Sequence, residues 1–360
     1  MSHLPKRHAR TSPVRSRLQD IARTCDVSIS TVSRALAGQK GVKSDIRQRI
    51  IEAARAARYP VPSRLQGARI AILASHAAMT DYGRTQFTWH VLEGLKAAAT
   101  AHAIEFSLLT LPDGGADREA PLACLDDGQT SGILLLTVDD RDVLDRVAAS
   151  GRPAILINGE DPLMRISSVS PCNRSAARMA CRFLIELGHE RIGFMMRPGR
   201  PTIRRRLEGW QDALAEAGLM ARPEDIISVG DWTPECAQIA IAERIGRGDL
   251  GITALLCAAD SLAMGVLSAL KAHGIPCPGA VSVMGIDNLP VSELLAPRLT
   301  TMHIPARDLG ENAVEMLMDQ IRHGPQLSRR TELACRLIAR ESTAAIGADA
   351  DERRPRRALA

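Results

Sequence analysis

The stretch from Leu18 to Leu36 constrains the fold most, because two short segments with helical spacing of apolar residues meet at a polar turn. One face of the first segment is apolar, at Leu18, Ile21 and Ala22. The second segment repeats that spacing, at Val32, Ala35 and Leu36. Ser28 lies in the turn, and its hydroxyl can accept from the open N–H groups of the second helix as an N-cap. The pattern is typical of a helix-turn-helix, which places its second helix in a DNA major groove.

The exposed face of the second helix carries the candidate DNA contacts. Base edges are within reach of the first turns of such a helix. The residues predicted to read bases are Ile29, Ser30 and Arg34. The residues predicted to contact phosphates are Ser28, Thr31 and Ser33. A third helix is expected from about Ser44, because apolar residues again share one side of it, at Ile46, Ile50, Ala53 and Ala54.

The distribution of charge along the chain distinguishes between two interpretations of these helices, a DNA-binding head and an ordinary helical hairpin with a solvated basic face. Residues 1–66 hold 14 Lys and Arg against 4 Asp and Glu, whereas residues 67–360 hold 32 against 37. The net charges are therefore +10 and −5, which together give the +5 of the whole chain. A basic head on a mildly acidic body is the footprint of phosphate binding with counterion release.

Beyond residue 68, short continuous apolar runs alternate with amphipathic stretches. Such runs suit strands that are buried on both faces of a parallel sheet. The predicted strands cover residues 70–73, 132–136, 154–157, 192–195, 254–257 and 282–286. Helices are expected between them, including residues 91–99 and 176–187. The predicted fold class is therefore α/β, a βαβ series of parallel sheets flanked by helices.

Short segments along almost the whole chain carry a family resemblance. Those of the head are Asp20-Ile21-Ala22, Val27-Ser28, Thr31 to Leu36, Gly41-Val42, Arg47 and Tyr59. Others follow in order at residues 187–193, 206–210, 283–288, 297–301 and 340–343. In these features the chain resembles the lactose repressor (LacI/GalR) family of transcriptional regulators. The resemblance implies a three-helix headpiece and a two-lobed periplasmic-binding-protein-like core that closes on a small effector.

Composition and resemblance together predict the domain organisation. A flexible basic arm is expected over residues 1–16, the helix-turn-helix domain over 17–59, a short hinge over 60–68 and a disordered tail over 344–360. The effector-binding and dimerisation core is expected over residues 69–343. Its first lobe is assigned to about 69–170 and 296–325, and its second lobe to about 171–295 and 326–343.

Polar residues that follow predicted strands are candidates for an effector site, because ligands bind at the carboxyl ends of parallel strands. These residues are Ser75, Asn158, Asp260 and Asp287. By resemblance, Arg206 is the effector-contacting arginine, Asp287 accepts from effector hydroxyls, and Trp232 packs on a sugar ring. Asp260 is not assigned a family role. The predicted effector-binding residues are thus Ser75, Asn158, Arg206, Trp232 and Asp287.

Structural roles for the same residues remain open at this point. Trp232 also suits loop packing, and Asp287 also suits a helix cap. Arg206 also suits an ion pair with Glu208 or with a helix terminus. Ser75 and Asn158 also suit turns at strand ends. The Arg204–Arg206 run favours an acidic effector, such as a sugar acid or phosphorylated sugar, but equally suits a solvated basic helix start.

Three positions depart from the family pattern. Ala37 replaces an Asn that commonly supports the recognition helix, which puts operator affinity at risk. The segment 59–67 is about six residues shorter than usual, so we expect an extended or single-turn hinge that Pro60 and Pro62 stiffen. Ala259 precedes Asp260 where many sugar-responsive members have Asn, so a standard hexose contact is in doubt.

Other functional classes have little support in the sequence. The Gly-x-Gly-x-x-Gly at residues 246–251 follows a predicted helix and precedes a strand, the reverse of a dinucleotide-binding loop. No catalytic motif is present, and the 8 cysteines include no Cys-x-x-Cys pair, so we expect neither an enzyme nor a cofactor nor a metal. A Rossmann-type enzyme and a solute-binding transport protein remain as alternatives.

The expected protein is a homodimeric repressor of carbohydrate or sugar-acid metabolism genes. Its expected partners are double-stranded operator DNA and a small effector, namely a sugar, sugar acid or sugar phosphate. No apolar run approaches the roughly 18 residues of a membrane span. Residues 1–16 lack the apolar segment of a secretory signal. We therefore expect a cytoplasmic protein with no membrane partner.

Overall fold

The computed structural model describes residues 13–36, 42–56, 68–80, 82–102, 104–112, 116–248, 250–324 and 326–347. The chain divides into two compact units. One covers residues 1–68 with the short stretch 102–104, and the other covers 69–101 and 105–360. The predicted arm up to residue 12, Ala37 and the hinge over 60–67 lie outside the described residues.

The N-terminal unit contains the three predicted helices, α1 Pro13–Thr24, α2 Ile29–Leu36 and α3 Ser44–Ala56. Their apolar faces form one small core, at Ile21, Ala22, Cys25, Val32, Ala35, Leu36, Ile50 and Ala54. The predicted three-helix headpiece is therefore confirmed. The arm boundary is wrong, because α1 begins at Pro13, and proline is well tolerated in the first turn of a helix.

The larger unit contains two six-stranded sheets. The first has the order β11-β5-β4-β3-β1-β2 and is entirely parallel. Its strands are β1 Arg69–Ser75, β2 Glu105–Leu111, β3 Thr130–Leu136, β4 Ala154–Ile157, β5 Ser167–Pro171 and β11 Arg330–Leu333. The second has the order β12-β10-β9-β8-β6-β7. Its strands are β6 Ile192–Met196, β7 Ile226–Ser228, β8 Ala254–Cys257, β9 Ser282–Asp287, β10 Thr300–His303 and β12 Arg336–Ile338.

Helices flank both sheets and complete two lobes. Those of the larger unit are α4 His76–Thr80, α5 Tyr82–His102, α6 Glu119–Leu122, α7 Arg141–Ala149, α8 Asn173–Glu186, α9 Pro201–Glu216, α10 Pro234–Gly246, α11 Asp260–Ala272 and α12 Ala306–His323. All six predicted strands are present, and almost all of their residues are buried. The α/β fold with a two-lobed core is therefore confirmed. Among the described residues, no helix is both long and apolar enough to span a membrane.

The chain crosses between the lobes three times, after β5, after β10 and after β11. β10 belongs to the second sheet, whereas α12, which follows it, packs against β3, β4 and β5 of the first. β11 pairs with β5 in the first sheet, and β12 returns to the second. The predicted lobe limits at 296–325 and 326–343 are therefore wrong in part. Local patterns predict short strands but not the sheet in which each strand pairs.

The segment after β12 remains attached to the second lobe beyond the predicted start of the tail. The Ala344 N–H donates to Ser282 Oγ at 3.1 Å, and the Ile346 N–H donates to the Leu187 carbonyl at 3.0 Å. Backbone hydrogen bonds of this kind fix the chain, so a tail beginning at 344 is wrong. Residues 348–360 lie outside the described part of the chain.

Candidate functional site

The six predicted DNA-contacting residues lie at the start and along the outer side of α2. The Ser28 hydroxyl accepts from the Thr31 N–H at 3.1 Å, which confirms Ser28 as the N-cap. The same hydroxyl lies 2.8 Å from the hydroxyls of Ser30 and Thr31. Ile29 is 40% exposed, and Ser30, Ser33 and Arg34 are exposed as well. The geometry leaves these side chains accessible while the opposite face is buried.

The turn before α2 is fixed to the third helix by a reciprocal contact. The Cys25 thiol donates to the Arg49 carbonyl at 3.4 Å, and the Arg49 guanidinium donates to the Cys25 carbonyl at 3.3 Å. Asp26 next to it adopts a left-handed conformation with φ 53°. These contacts set the direction in which α2 leaves the turn, and thus which side chains it presents.

In the larger unit, a cleft lies at the carboxyl ends of strands from both sheets. It encloses about 520 Å³ of empty space, part of it open to solvent. Four of the five predicted effector-binding residues line it, namely Asn158, Arg206, Trp232 and Asp287. We call it the inner cavity.

Arg206 and Asp287 form the charged centre of the inner cavity. Arg206 Nη1 lies 3.6 Å from Asp287 Oδ1, and the two side chains are only 8% and 12% exposed. Arg206 Nε also donates to Asn173 Oδ1 at 2.8 Å, and Nη1 donates to the Ala258 carbonyl. Burial raises the pKa of Asp287 to about 7, although Arg206 opposes the rise. The carboxyl group therefore titrates near neutral pH.

Two hydroxyl groups that line the inner cavity were missed from the sequence. Thr202 and Ser261 are 2% and 1% exposed, and their hydroxyls have no hydrogen-bond partner among the described residues. Buried polar atoms are almost always paired, so these two are available to a bound ligand. The sequence did contain a signal for both residues. Thr202 lies one helical turn before Arg206 on α9, so the two side chains share a helix face. Ser261 closely follows the end of β8, where ligand-binding residues are expected.

Aromatic side chains supply the apolar wall of the inner cavity. Trp232 is 5% exposed, and its backbone N–H donates to Asp231 Oδ1 at 2.7 Å. Phe87 of α5 lines the cavity as well and is 9% exposed. An aromatic surface beside charged and hydroxyl groups suits a ligand with one apolar face and several polar edges.

Arg200, also missed from the sequence, links the two lobes at the edge of the inner cavity. It directly precedes α9 in the second lobe, and its Nε donates to Asp139 Oδ2 at 2.6 Å in the first lobe. Its Nη2 donates to the Asn158 carbonyl at 2.7 Å. Asn158 has a left-handed backbone, φ 52°, and its N–H donates to the Val169 carbonyl. Asn158 therefore contributes to the cavity and to the contact between the lobes.

Ser75 and Asp260 lie outside the inner cavity. Ser75 Oγ accepts from the Ala78 N–H at 3.3 Å and lies 3.1 Å from Thr137 Oγ1, in an adjoining cavity. Asp260 is fully buried and accepts from the Leu289 N–H and from the Ser292 and Thr301 hydroxyls. Burial raises the pKa of Asp260. Its predicted convergence on the cleft is wrong, because its oxygens hold neighbouring segments of the second lobe together.

The other two arginines of the 204–206 run point away from the cavity. Arg204 is 66% exposed and lies 3.9 Å from Glu208. Arg205 pairs with Glu160 and Glu208, each at 3.1 Å. Of the three arginines, only Arg206 lines the cavity. The run as a whole therefore does not support the prediction of an acidic effector. Their common helix accounts for this, because consecutive residues point in different directions.

The remaining polar motifs have structural roles. His189 contacts Thr253, Ser282 and the Ala344 carbonyl, and burial lowers its pKa. Gly246 ends α10, and β8 begins at Ala254, so the glycine motif lies after a helix and before a strand, as predicted. Within the described ranges, no group of three or more His, Cys, Asp or Glu is arranged to hold a metal ion.

Family models match both units of the chain. Residues 17–61 match bacterial regulatory proteins of the lacI family, and residues 181–343 match a periplasmic binding protein-like domain. The HTH-type transcriptional regulator MalR of Streptomyces coelicolor is 30% identical, over 91% of this chain and 97% of the relative. The HTH-type transcriptional repressor CytR of Escherichia coli is 30% identical, over 91% and 96%.

Solved structures resemble this chain over most of its length. A complex of the transcriptional regulator CelR with cellobiose has a TM-score of 0.69 at 27% identity, covering 90% of this chain and 99% of that one. A lac repressor dimer bound to operator and an anti-inducer has a TM-score of 0.69 at 24% identity, covering 91% and 99%. The likeness thus extends over headpiece and core together.

Proposed function

The chain belongs to the LacI family of bacterial transcriptional regulators, and from that premise we propose that it is a repressor whose affinity for operator DNA depends on a sugar-like effector bound in the inner cavity. The relatives named above are regulators, not enzymes, and the matched headpiece distinguishes the chain from a solute-binding protein. The observation that carries the proposal is the convergence of Arg206, Asp287, Thr202 and Ser261 in one buried space.

The chemistry of the inner cavity favours a molecule with several hydroxyl groups. Asp287 accepts hydrogen bonds and Arg206 donates them, whereas the Thr202 and Ser261 hydroxyls do both. A sugar hydroxyl is likewise donor and acceptor, and one face of a pyranose ring is apolar enough to pack on Trp232. Hydrogen bonds to the charged groups fix the orientation of such a ring. One solved regulator similar to this chain is a complex with cellobiose, which agrees with a carbohydrate effector.

Lobe closure is the proposed route from effector to DNA. Arg200 joins the second lobe to Asp139 and Asn158 of the first, so the described arrangement is stabilised by polar contacts across the cleft. An effector that binds one lobe arrangement better than another shifts the population toward it. In a homodimer, such a shift changes the spacing of two headpieces relative to the operator half-sites, on which affinity depends.

In the headpiece, Arg34→Ala is expected to cost about 1–3 kcal/mol of specific operator binding and to relax preference at one base position. The reason is the exposed position of Arg34 on α2, from which a guanidinium can reach a guanine edge. Fluorescence anisotropy with matched and mismatched duplexes measures the effect. The control is Arg23→Ala on α1, which removes the same charge from a side chain exposed beside Asp20 and should leave the base preference unchanged. An operator affinity that is unchanged in Arg34→Ala rules out the base contact.

The experiment that tests the whole proposal is selection of random duplex DNA by the purified full chain, with and without a pool of sugars and sugar acids. A two-fold symmetric site whose enrichment depends on the pool is the expected result. Thr202→Val removes one cavity hydroxyl with little change in shape, so it should select the same site but lose the response to the pool. Selection of a site with no response, in wild type and variant alike, contradicts the effector part of the proposal.

A further inference from the structure

A second cavity adjoins the inner cavity and lies at the carboxyl ends of β1, β2 and β3. The two share Thr137 and Arg200 in their linings, and the second encloses about 1030 Å³ of empty space, part of it open to solvent. We call it the outer cavity. Ser75, which does not line the inner cavity, lines this one. The two cavities therefore meet at Thr137 and Arg200.

The charged groups of the outer cavity are unevenly paired. Arg118 lies 2.7 Å from Asp140, and Arg200 lies 2.6 Å from Asp139, so these four charges neutralise one another. Arg197 has no such partner, since it makes no ion pair with a described carboxylate, and its Nε donates to the Gly230 carbonyl at 3.0 Å. The outer cavity therefore has one excess positive charge, located at Arg197.

Hydrogen-bonding atoms beside Arg197 suit a second polar unit. Asp139 Oδ1 is buried and has no partner in the described structure, although Oδ2 of the same carboxylate accepts from Arg200. The hydroxyls of Ser75 and Thr137 lie on the same side of the cavity, 3.1 Å apart. An unsatisfied buried carboxylate oxygen is costly, and a ligand hydroxyl that donates to it removes that cost.

Arg197 also connects the two cavities mechanically. The carbonyl that accepts from its Nε belongs to Gly230, two residues before Trp232, whose ring lines the inner cavity. A guanidinium can use its Nε for this contact and its two Nη groups for a planar anionic group. An anion held there fixes the side chain that supports the loop carrying Trp232.

We propose that the effector is a two-unit glycoside, with one ring in the inner cavity and a second unit in the outer cavity whose acidic group, a carboxylate or a phosphate, binds Arg197. This inference rests on the proposed sugar-responsive function and specifies its ligand. The acidic group and the second unit are recognised by different atoms, Arg197 for the first and Asp139, Ser75 and Thr137 for the second.

The test is a titration of the full chain, followed by tryptophan fluorescence and by the shift of the thermal midpoint. The probes are glucose, glucuronic acid, cellobiose, maltose, cellobiouronic acid, maltose 6′-phosphate and inorganic phosphate. We expect an acidic disaccharide to bind at least tenfold more tightly than its neutral counterpart and than either monosaccharide. The uronic acid and the phosphate ester are separate arms, so the better of the two identifies the acidic group.

Matched variants assign the preference to the outer cavity. Arg197→Gln should reduce the acidic-over-neutral affinity ratio to within about twofold. Arg204→Gln removes the same charge from an exposed position outside both cavities and should keep the ratio. Retention of the preference in Arg197→Gln overturns the role of Arg197, and equal affinity for acidic and neutral disaccharides in the wild type overturns the acidic group.

The results also distinguish a failure of the two-unit ligand from a failure of the proposed carbohydrate response. If monosaccharides bind as tightly as disaccharides and Thr202→Val abolishes that binding, the inner cavity is an effector site but the two-unit ligand is wrong. If no sugar in the series binds, acidic or neutral, while the protein still retains a specific operator, both the two-unit ligand and the carbohydrate effector are wrong.

Discussion

Gly209→Ala is expected to lower the free energy of unfolding of the core by about 2–4 kcal/mol. Gly209 lies where α9 crosses α8, and a Cβ at this position would be 2.0 Å from the Arg174 carbonyl oxygen and 3.0 Å from the Arg178 backbone nitrogen. Neither backbone atom can move without displacing α8, so the two helices must separate. Thermal melting and urea titration measure the loss, and the thermal midpoint should fall by several degrees.

Gly246→Ala is the matched control for this prediction. Gly246 is also a helical glycine, at the end of α10, but a Cβ there meets no atom within 4 Å. Alanine is favoured over glycine in helices by up to about 1 kcal/mol, so this variant should be neutral or slightly more stable. Equal stability of both variants would contradict the tight crossing of α8 and α9.

The six strands predicted from continuous apolar runs were found because each lies inside a sheet with helices on both sides. Six other described strands were not among the predicted runs, and two of them, β2 and β5, were omitted for different reasons. β2 is an edge strand with a mostly exposed face, so its residues do not form an apolar run. β5 is central but rich in serine, and its buried hydroxyls are satisfied locally. For example, Ser167 accepts from the Arg329 N–H, and Ser170 donates to the Gly159 carbonyl.

The periodicity of a short segment predicts that it forms a strand, but not which strand it pairs with. The errors in the predicted lobe limits arise from this difference. β10 and β11 are each four residues long, and neither sequence indicates which of the two sheets the strand joins. β10 pairs with β9, which ends at Asp287, and β11 pairs with β5, which ends much earlier in the chain at Pro171. Tertiary contacts of this range are not encoded in a window of ten residues.

The candidate site was predicted to the extent that it follows from strand ends and from family resemblance. Asn158 and Asp287 come directly after or at the end of buried strands, and parallel sheets bring such positions to one edge. Arg200 was missed because its importance depends on Asp139 in the other lobe. Asp260 also follows a buried strand, so the same reasoning made it a candidate. Its carboxylate is nevertheless buried in the protein, where it accepts hydrogen bonds from three donors.

Asp287→Asn is expected to weaken effector binding at pH 8 by about 1.5–3 kcal/mol, which is about tenfold to 100-fold. At that pH the Asp287 carboxylate, 3.6 Å from Arg206, is largely ionised, and in the proposed effector complex it accepts hydrogen bonds from effector hydroxyls. An asparagine amide is uncharged, offers one acceptor oxygen in place of two, and places an NH₂ group toward the arginine. Isothermal titration of the full chain with its best-binding sugar measures the loss.

The pH dependence of binding should separate Asp287 from a merely structural role. Burial raises its pKa to about 7, so below pH 7 the carboxyl group must lose a proton before it accepts from the effector. Effector affinity should therefore rise with pH up to about 7, by at most tenfold per unit, and then level off. Folding stability changes in the opposite direction, because between about pH 4 and 7 the folded state holds a proton that the unfolded state has lost.

The opposite signs make the experiment decisive, since a loss of folded protein cannot imitate an increase in affinity. Asp287→Asn should flatten the affinity profile between pH 5.5 and 8, and Asp142→Asn, which changes an exposed carboxylate on α7, should retain it. Titration at several pH values, with the stability curve measured in parallel, gives both slopes. An affinity profile that keeps its slope in Asp287→Asn assigns the titration to another group and removes Asp287 from the effector's hydrogen bonds.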